Sequence, residues 1–159
     1  MVKSSKNRVS IETAKLLKEV GFNEMCDCCY GLSVRHNGRE IDEDEEYELK
    51  SEGLADEIEY VDGAHLYHMW CRNNDYNSIY SCPTQEDALE WVRENLKIYV
   101  IIDLDNNGKW FYKSFTIPER FEILSSSARH FGKYVDATEN ALFSILRKTI
   151  ELNKKPTNK

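Results

Sequence analysis

The stretch 81–117, SCPTQEDALEWVRENLKIYVIIDLDNNGKWFYKSFTI, constrains the fold most strongly, because it reads as a capped helix feeding straight into a β-hairpin. Thr84 and Asp87 have capping-box spacing, in which each side chain satisfies the other's free backbone donor. Pro83 keeps the helix from starting earlier. Glu86 and Asp87 then place negative charge at the positive end of the helix dipole. Ala88, Leu89, Trp91, Val92 and Leu96 form a wide apolar face, and Glu90, Arg93 and Glu94 face water. The run KIYVIID at 97–103 follows with strand alternation: Ile98, Val100 and Ile102 point one way, Tyr99 and Ile101 the other. DNNG at 105–108 turns the chain. The return strand, 110–117, puts Trp110 and Tyr112 on one face and Phe111 and Phe115 on the other, and Pro118 ends it.

The flanking segments follow the same logic. Ser10 is placed to cap a helix over about 10–20, with Ile11, Ala14, Leu17 and Val20 as its apolar face, Leu16 widening it, and Gly21 in the left-handed position after it. MCDCCYGLSVR at 25–35 reads as a strand that ends at the HNG turn signal, 36–38. HLYHMWC, 65–71, reads as its partner, so that 26–35 and 66–71 form a hairpin-like pair around an acidic loop or insertion at 39–64. Within that insertion, 54–60 fits either a short helix or a strand. RFEILSSS at 120–127 adds one more strand. A last helix spans about 137–152, with capping-box spacing between Asp136 and Glu139. Ala141, Leu142, Ile145, Leu146 and Leu152 form its buried face, with Phe143 and Ile150 on the flank. The order of elements implies an α+β fold: one small, mainly antiparallel sheet of hairpins with three helices packed mostly on one face.

The 159 residues suit a single domain spanning 1–159, with frayed tails at 1–8 and 153–159. At 41% hydrophobic and 31% charged, the chain has enough apolar content for a modest core. No apolar run is long enough for a membrane span, and the N-terminus lacks the apolar region of a signal peptide. The five cysteines, Cys26, Cys28, Cys29, Cys71 and Cys82, are odd in number and read as thiols in a reducing compartment. Charge is unevenly spread. Residues 40–62 hold 12 acids and one base, and the rest of the chain carries a net +4 of the total −7. This balance argues against general nucleic-acid binding through phosphates.

Three segments carry a resemblance to a known family. These are the opening helix ending in Gly21-Phe22, the cap at Ser81, Pro83 and Thr84 followed by Trp91, Val92, Arg93 and Glu94, and the closing helix with Tyr134, Ala141 and Leu142. Together they resemble a family of small proteins of Bacteroidetes phages and prophages that has no assigned activity. The likeness covers most of the chain outside 36–65. It departs at Val92, where Leu is usual, and in the length of the acidic insertion. It implies phage origin and no site residue.

No stretch carries a specific catalytic, metal or nucleotide signature, and each candidate has a plain structural counterpart. DLDNNGKW at 103–110 matches the start of a calcium loop through Asp103, Asp105, Asn107 and Gly108, but Ser114 stands where the bidentate Glu is required. A hairpin turn explains the same residues. Cys26, Cys28 and Cys29 together with His65, His68 and Cys71 contain soft zinc ligands, with Cys26, Cys28, His68 and Cys71 the best set, yet C-x-C-C departs from the usual paired spacing. Buried thiols are the plainer reading. Cys82 precedes a helix N-terminus that would lower its pKa, but nothing places His36, His65, His68 or His130 beside it as a base. Ser125, Ser126 and Ser127 lack a nucleophile-elbow context. Tyr99, Trp110, Phe111 and Tyr112 suggest a stacking platform without the basic residues that accompany one.

The expectation is therefore a non-enzymatic phage accessory protein in the host cytoplasm, possible also on the virion. It needs no cofactor and acts by binding another macromolecule, a phage or host protein. Two alternatives remain: an anti-defence inhibitor whose acidic 40–62 surface mimics a polyanion, and a zinc- or cysteine-dependent module.

Overall fold

A computed structural model describes residues 7–75, 79–119, 122–125 and 130–154, with the backbone alone for 62–65 and 122–125. The chain groups into two compact units. Unit 1 comprises Met1–Phe22 with Cys82–Lys159, and unit 2 comprises Asn23–Ser81. The fold is α+β with antiparallel sheets, one in each unit.

Unit 1 contains α1 (Ile11–Glu19), α3 (Gln85–Trp91), β5 (Ile98–Leu104), β6 (Trp110–Thr116), β7 (Glu122–Ser125) and α4 (Tyr134–Lys154). Ser10 caps α1 by accepting from the Thr13 N–H at 3.2 Å. The helix closes where the Phe22 N–H reaches the Leu17 carbonyl and the Gly21 N–H reaches that of Lys18, the two bonds of a Schellman ending. Thr84 caps α3 by accepting from the Asp87 N–H at 3.1 Å. The helix expected over 85–96 is α-helical only to Trp91. Val92–Leu96 winds as a π turn that left-handed Lys97 (φ 56°) terminates, and β5 starts one residue later.

Antiparallel pairing joins β5 to β6 and β6 to β7, with Val100 opposite Ser114 and Ile102 opposite Tyr112. Helix α4 lies on β5 and β6, and α1 and α3 pack on α4. Leu17, Leu142, Ile145 and Leu146 are wholly buried there. Each contributes on the order of 1.5–3 kcal/mol. Two expectations for α4 need correction. Ile150 is buried and Leu152 is 52% exposed, because the 3.6-residue period carries the stripe from Leu146 to Ile150 and leaves Leu152 outside it. The helix begins at Tyr134, so Asp136 sits inside the first turn. Glu139 therefore caps no box with it. Its Oε1 instead accepts from the Ser10 N–H (2.9 Å) and the Thr13 hydroxyl (2.6 Å), and its Oε2 from the Gln85 amide (3.1 Å). One carboxylate thus joins α4 to the starts of α1 and α3.

Unit 2 contains β1 (Cys29–His36), β2 (Arg39–Glu40), α2 (Glu43–Ser51), a 3-10 turn (Ala55–Glu57), β3 (Ile58–Tyr67) and β4 (Ile79–Ser81). Strand β1 is central, pairing antiparallel with β3 on one side and with β2 and β4 on the other. Asn37 and Gly38 both have positive φ, as a two-residue hairpin loop requires. The β1–β3 pairing agrees in kind with the expected hairpin-like pair, but its extent does not. Strand β3 begins at Ile58, inside the acidic stretch, and stops at Tyr67, so His68, Met69 and Trp70 lie outside it.

The described residues form four α-helices, where three were expected, and the additional one is α2, inside the stretch expected to be an acidic loop or insertion. The count of like charges misjudged this segment because position offsets repulsion. Asp42 caps the helix, accepting from the Glu45 N–H at 2.9 Å, and Glu43, Asp44, Glu45 and Glu46 occupy the first turn, at the positive end of the dipole. Buried Glu46 accepts from Lys50 (2.5 Å) and from the Tyr60 hydroxyl (2.6 Å), which ties α2 to β3. Leu49 packs on a small cluster of Val34, Ile41 and Ile58.

Candidate functional site

The cysteine-rich end of unit 2 is built by the ladder between β1 and β3. Beyond Cys29, which pairs with Tyr67, the two chains part around 27–28 and 68–70 and meet again at Cys26 and Cys71. Those two residues exchange both backbone hydrogen bonds, each at 2.9 Å. The Cys28 Sγ lies 3.2 Å from His68 Nδ1, and the Cys71 thiol donates to the Cys28 carbonyl at 3.8 Å. Cys29, Cys71 and Ile79 form a buried apolar cluster. Cys26, Cys28, His68 and Cys71, the set favoured for zinc, are thus brought to one end of the unit. Among the described residues, however, no group of three or more His, Cys, Asp or Glu side chains is arranged to hold a metal ion. His65 lies in β3 opposite Gly31, and its side chain is outside the described residues.

The same end carries several exposed apolar side chains. Trp70 is 71% exposed, and Leu66, Tyr67 and Met69 are exposed beside it in sequence. The acidic helix supplies a second exposed aromatic, Tyr47 at 75%, among the exposed carboxylates of Glu43, Asp44 and Glu48. Unit 2 as a whole holds 15 acidic and 4 basic residues, a net of −11, against 13 acidic and 17 basic in unit 1.

The remaining sequence candidates take structural roles. In the turn at 105–108, Asp105 Oδ1 accepts from the N–H groups of Asn107 (2.8 Å) and Lys109 (2.9 Å), while Oδ2 pairs with His130. The Lys109 N–H first, and then His130, hold the Asp105 carboxyl below its ordinary value. Asp103 Oδ1 accepts from the Leu104 N–H at 2.8 Å. A carboxylate so occupied by its own turn is a hairpin fastener, which matches the turn reading of this motif. Cys82 is wholly buried, and its thiol donates to the Val9 carbonyl at 3.5 Å, which closes it to a substrate. His130, the histidine of unit 1, is held by Asp105 and stacks on Phe111 at 5.7 Å. Ser125 lies at the end of β7, and Ser126 and Ser127 fall outside the described residues.

The four aromatics proposed as a stacking platform do not share a face. Tyr112 is buried against α4, donating to Asn140 Oδ1 at 2.9 Å, and Trp110 packs edge-on to Tyr134 at 5.1 Å. Tyr99 and Phe111 belong to the opposite face, where Tyr99, Ile101, Phe115 and Ile117 line a groove of about 740 Å³.

Sequence reading missed the structural role of Glu46 and the exposure of Trp70. Glu46 carried a signal in its i,i+4 relation to Lys50 behind an Asp42 cap. Trp70 carried none, since an apolar run reads as buried until its packing is known. No family model, curated protein or solved structure matches this chain. No helix among the described residues is long and apolar enough to cross a membrane.

Proposed function

We propose that the protein is a non-enzymatic accessory protein of phage or prophage origin, which acts in the host cytoplasm by binding another protein, of phage or host, through unit 2. The exposure of Trp70 carries this reading. Trp70 is 71% exposed, and Leu66, Tyr67 and Met69, close to it in sequence, are exposed as well, an amount of exposed apolar surface unusual on a protein with no use for it. Trp, Tyr and Met are also the side chains enriched at protein interfaces. The net −11 of the unit favours a basic partner, which it would attract over long range, and disfavours nucleic acid. The origin rests on the resemblance of the opening, middle and closing segments to the phage family.

The partner is to be isolated by pull-down from infected host cells and its affinity for purified protein measured. Trp70→Ala is expected to weaken binding by about thirtyfold, the size of an interface hot spot. Unchanged affinity of that variant would overturn the reading.

One observation favours a second reading, inhibition of a nucleic-acid-dependent defence enzyme by polyanion mimicry. Helix α2 displays Glu43, Asp44 and Glu48 on an ordered scaffold. Deleting the stretch is a poor test, because Ile41, Glu46 and Leu49 are tied into the unit. Reversing the three exposed acids to Lys separates the readings. Mimicry loses inhibition in that variant and keeps it in Trp70→Ala; docking through Trp70 shows the opposite.

A further inference from the structure

Cys26 and Cys71 face one another across an antiparallel bridge and exchange both of its hydrogen bonds. Residues so paired lie about 5.5 Å apart at Cα and project their side chains to the same side of the ladder. That spacing falls within the roughly 4.4–6.8 Å that a disulfide spans. The Cβ separation of such a pair, about 5 Å, exceeds the roughly 4 Å of a relaxed disulfide, so closure must draw the two backbones together slightly. The bridge permits this, because it stands outside the strands, flanked by 27–28 and 68–70. The same misfit makes the bond an easily reduced one. The other thiols have different settings. Cys28 lies against His68 and accepts at its carbonyl from the Cys71 thiol, Cys29 packs in one buried cluster with Cys71 and Ile79, and Cys82 belongs to unit 1. Cys26 is 6% exposed and Cys71 1%, so Cys26 is the outer member of the pair.

We propose that Cys26 and Cys71 are a site of reversible oxidation by low-molecular-weight disulfides, and that closing this bond orders the segment that presents Trp70. Cys26 loses its proton to water, and the thiolate attacks one sulfur of the small disulfide, whose S–S bond breaks to release one small thiolate. Cys71, deprotonated in turn, attacks the Cys26 sulfur; the Cys26–Cys71 bond forms and the second small thiolate leaves. The protein gives up two electrons and two protons, and the small disulfide becomes two thiols. Trp70 is covalently adjacent to Cys71, so the bond fixes the end of the 68–70 segment against Cys26. The consequence for binding rests on the reading of Trp70 above; the disulfide itself does not.

The test incubates the full folded chain with glutathione disulfide, alkylates the remaining thiols and maps peptides by mass spectrometry. The expected product is two hydrogens lighter, links the Cys26 and Cys71 peptides, and reverts with dithiothreitol. It persists in Cys28→Ser and Cys82→Ser and is lost in Cys26→Ser. Complete alkylation of Cys26 and Cys71 after oxidation overturns the site, as does a link from either residue to Cys28 or Cys29. Hydrogen exchange of the oxidised wild type then reads the second half of the proposal. Amides at 68–71 should exchange at least about tenfold more slowly than in the reduced protein. A disulfide that leaves their exchange unchanged overturns the ordering of the Trp70 segment. Failure of the Trp70→Ala binding test bears on the docking surface alone, and peptide mapping bears on the thiols alone.

Discussion

The two units are held together by different means. The wholly buried apolar residues of unit 1 include Ala14, Leu17, Val92, Ala137, Ala141, Leu142, Ile145 and Leu146, a packed layer drawn from its helices. Among the described residues of unit 2 the wholly buried side chains are Cys28, Cys29 and the polar Ser81, with Cys71 and the polar Asn73 at 1%. Asn73 accepts there from the Ser81 N–H at 2.7 Å. Toward the other end of the β1–β3 ladder stand one small aliphatic cluster and the Glu46–Lys50–Tyr60 triad. Unit 1 is a core that tolerates a weakly basic surface. Unit 2 is a β ladder with little core, much negative charge and several large apolar groups left outside. Where apolar burial is scarce, hydrogen-bonded charge and backbone pairing carry more of the stability, and apolar residues remain for contact with something else.

The contrast can be broken from the unit 1 side first. Leu142→Ala should cost about 2–5 kcal/mol through lost burial and the cavity left behind. Denaturant unfolding measures the loss, and hydrogen exchange should show it in α1 and α4; unchanged protection there would refute a helix-borne core. In unit 2 the largest single effect should come from Glu46→Ala, which strips a buried acceptor from Lys50 and Tyr60. A loss of roughly 1.5–3 kcal/mol is expected in the protection of α2, and less in Glu46→Gln, which keeps an acceptor for the phenol. Gly31→Ala should be milder. An added Cβ would lie 2.6 Å from Cε2 of Tyr67, but that ring is half-exposed and can swing away. We expect about 1 kcal/mol of destabilisation, relieved when Tyr67→Ala is added. If the second change relieves nothing, the ring contact is not the cause.

pH should separate the units further. The Glu46 hydrogen bond raises the pKa of Lys50 above its ordinary 10.5, and burial first, then the bond to Glu46, raises that of Tyr60 above 10.0. A raised folded-state pKa contributes stability that is complete below the unfolded value and is lost as pH rises through the folded one. Unit 2 should therefore weaken above about pH 10, and Glu46→Ala should flatten that alkaline limb. Asp105 in unit 1 is shifted the other way. Its contribution is present above about pH 4 and is lost as pH falls through its depressed value, so Asp105→Asn should flatten the acid limb. Melting temperatures across pH for the wild type and both variants measure this. An acid limb that survives Asp105→Asn would assign it to other carboxylates.

Much of the local structure was legible because its causes lie within a few residues of each other. The Ser10 and Thr84 caps, the ending at Gly21, the turn at 105–108 and the alternation of β5 all depend on neighbours in sequence, and all are present. Strand β3 and helix α2 were harder to read. A strand starting at Ile58 needs β1 as its partner, and an acidic helix needs Tyr60 and the Val34 cluster to hold it. The candidate site was legible only as a set of residue types. The zinc pattern brought Cys26, Cys28, His68 and Cys71 to attention, but only the ladder register opposes Cys26 to Cys71 and sets His68 against Cys28.

The sequence by itself determined the caps of α1 and α3, the ending of α1 at Gly21, the alternation of β5 and how unevenly charge is distributed, since capping, periodicity and composition are properties of short stretches. Only the tertiary structure decided that the described strands form two sheets and that Glu139 serves other helices than its own. It alone settled that Cys82 is sealed and Trp70 exposed. Burial and long-range pairing depend on what the rest of the chain brings alongside a residue, and spacing along the chain does not encode that.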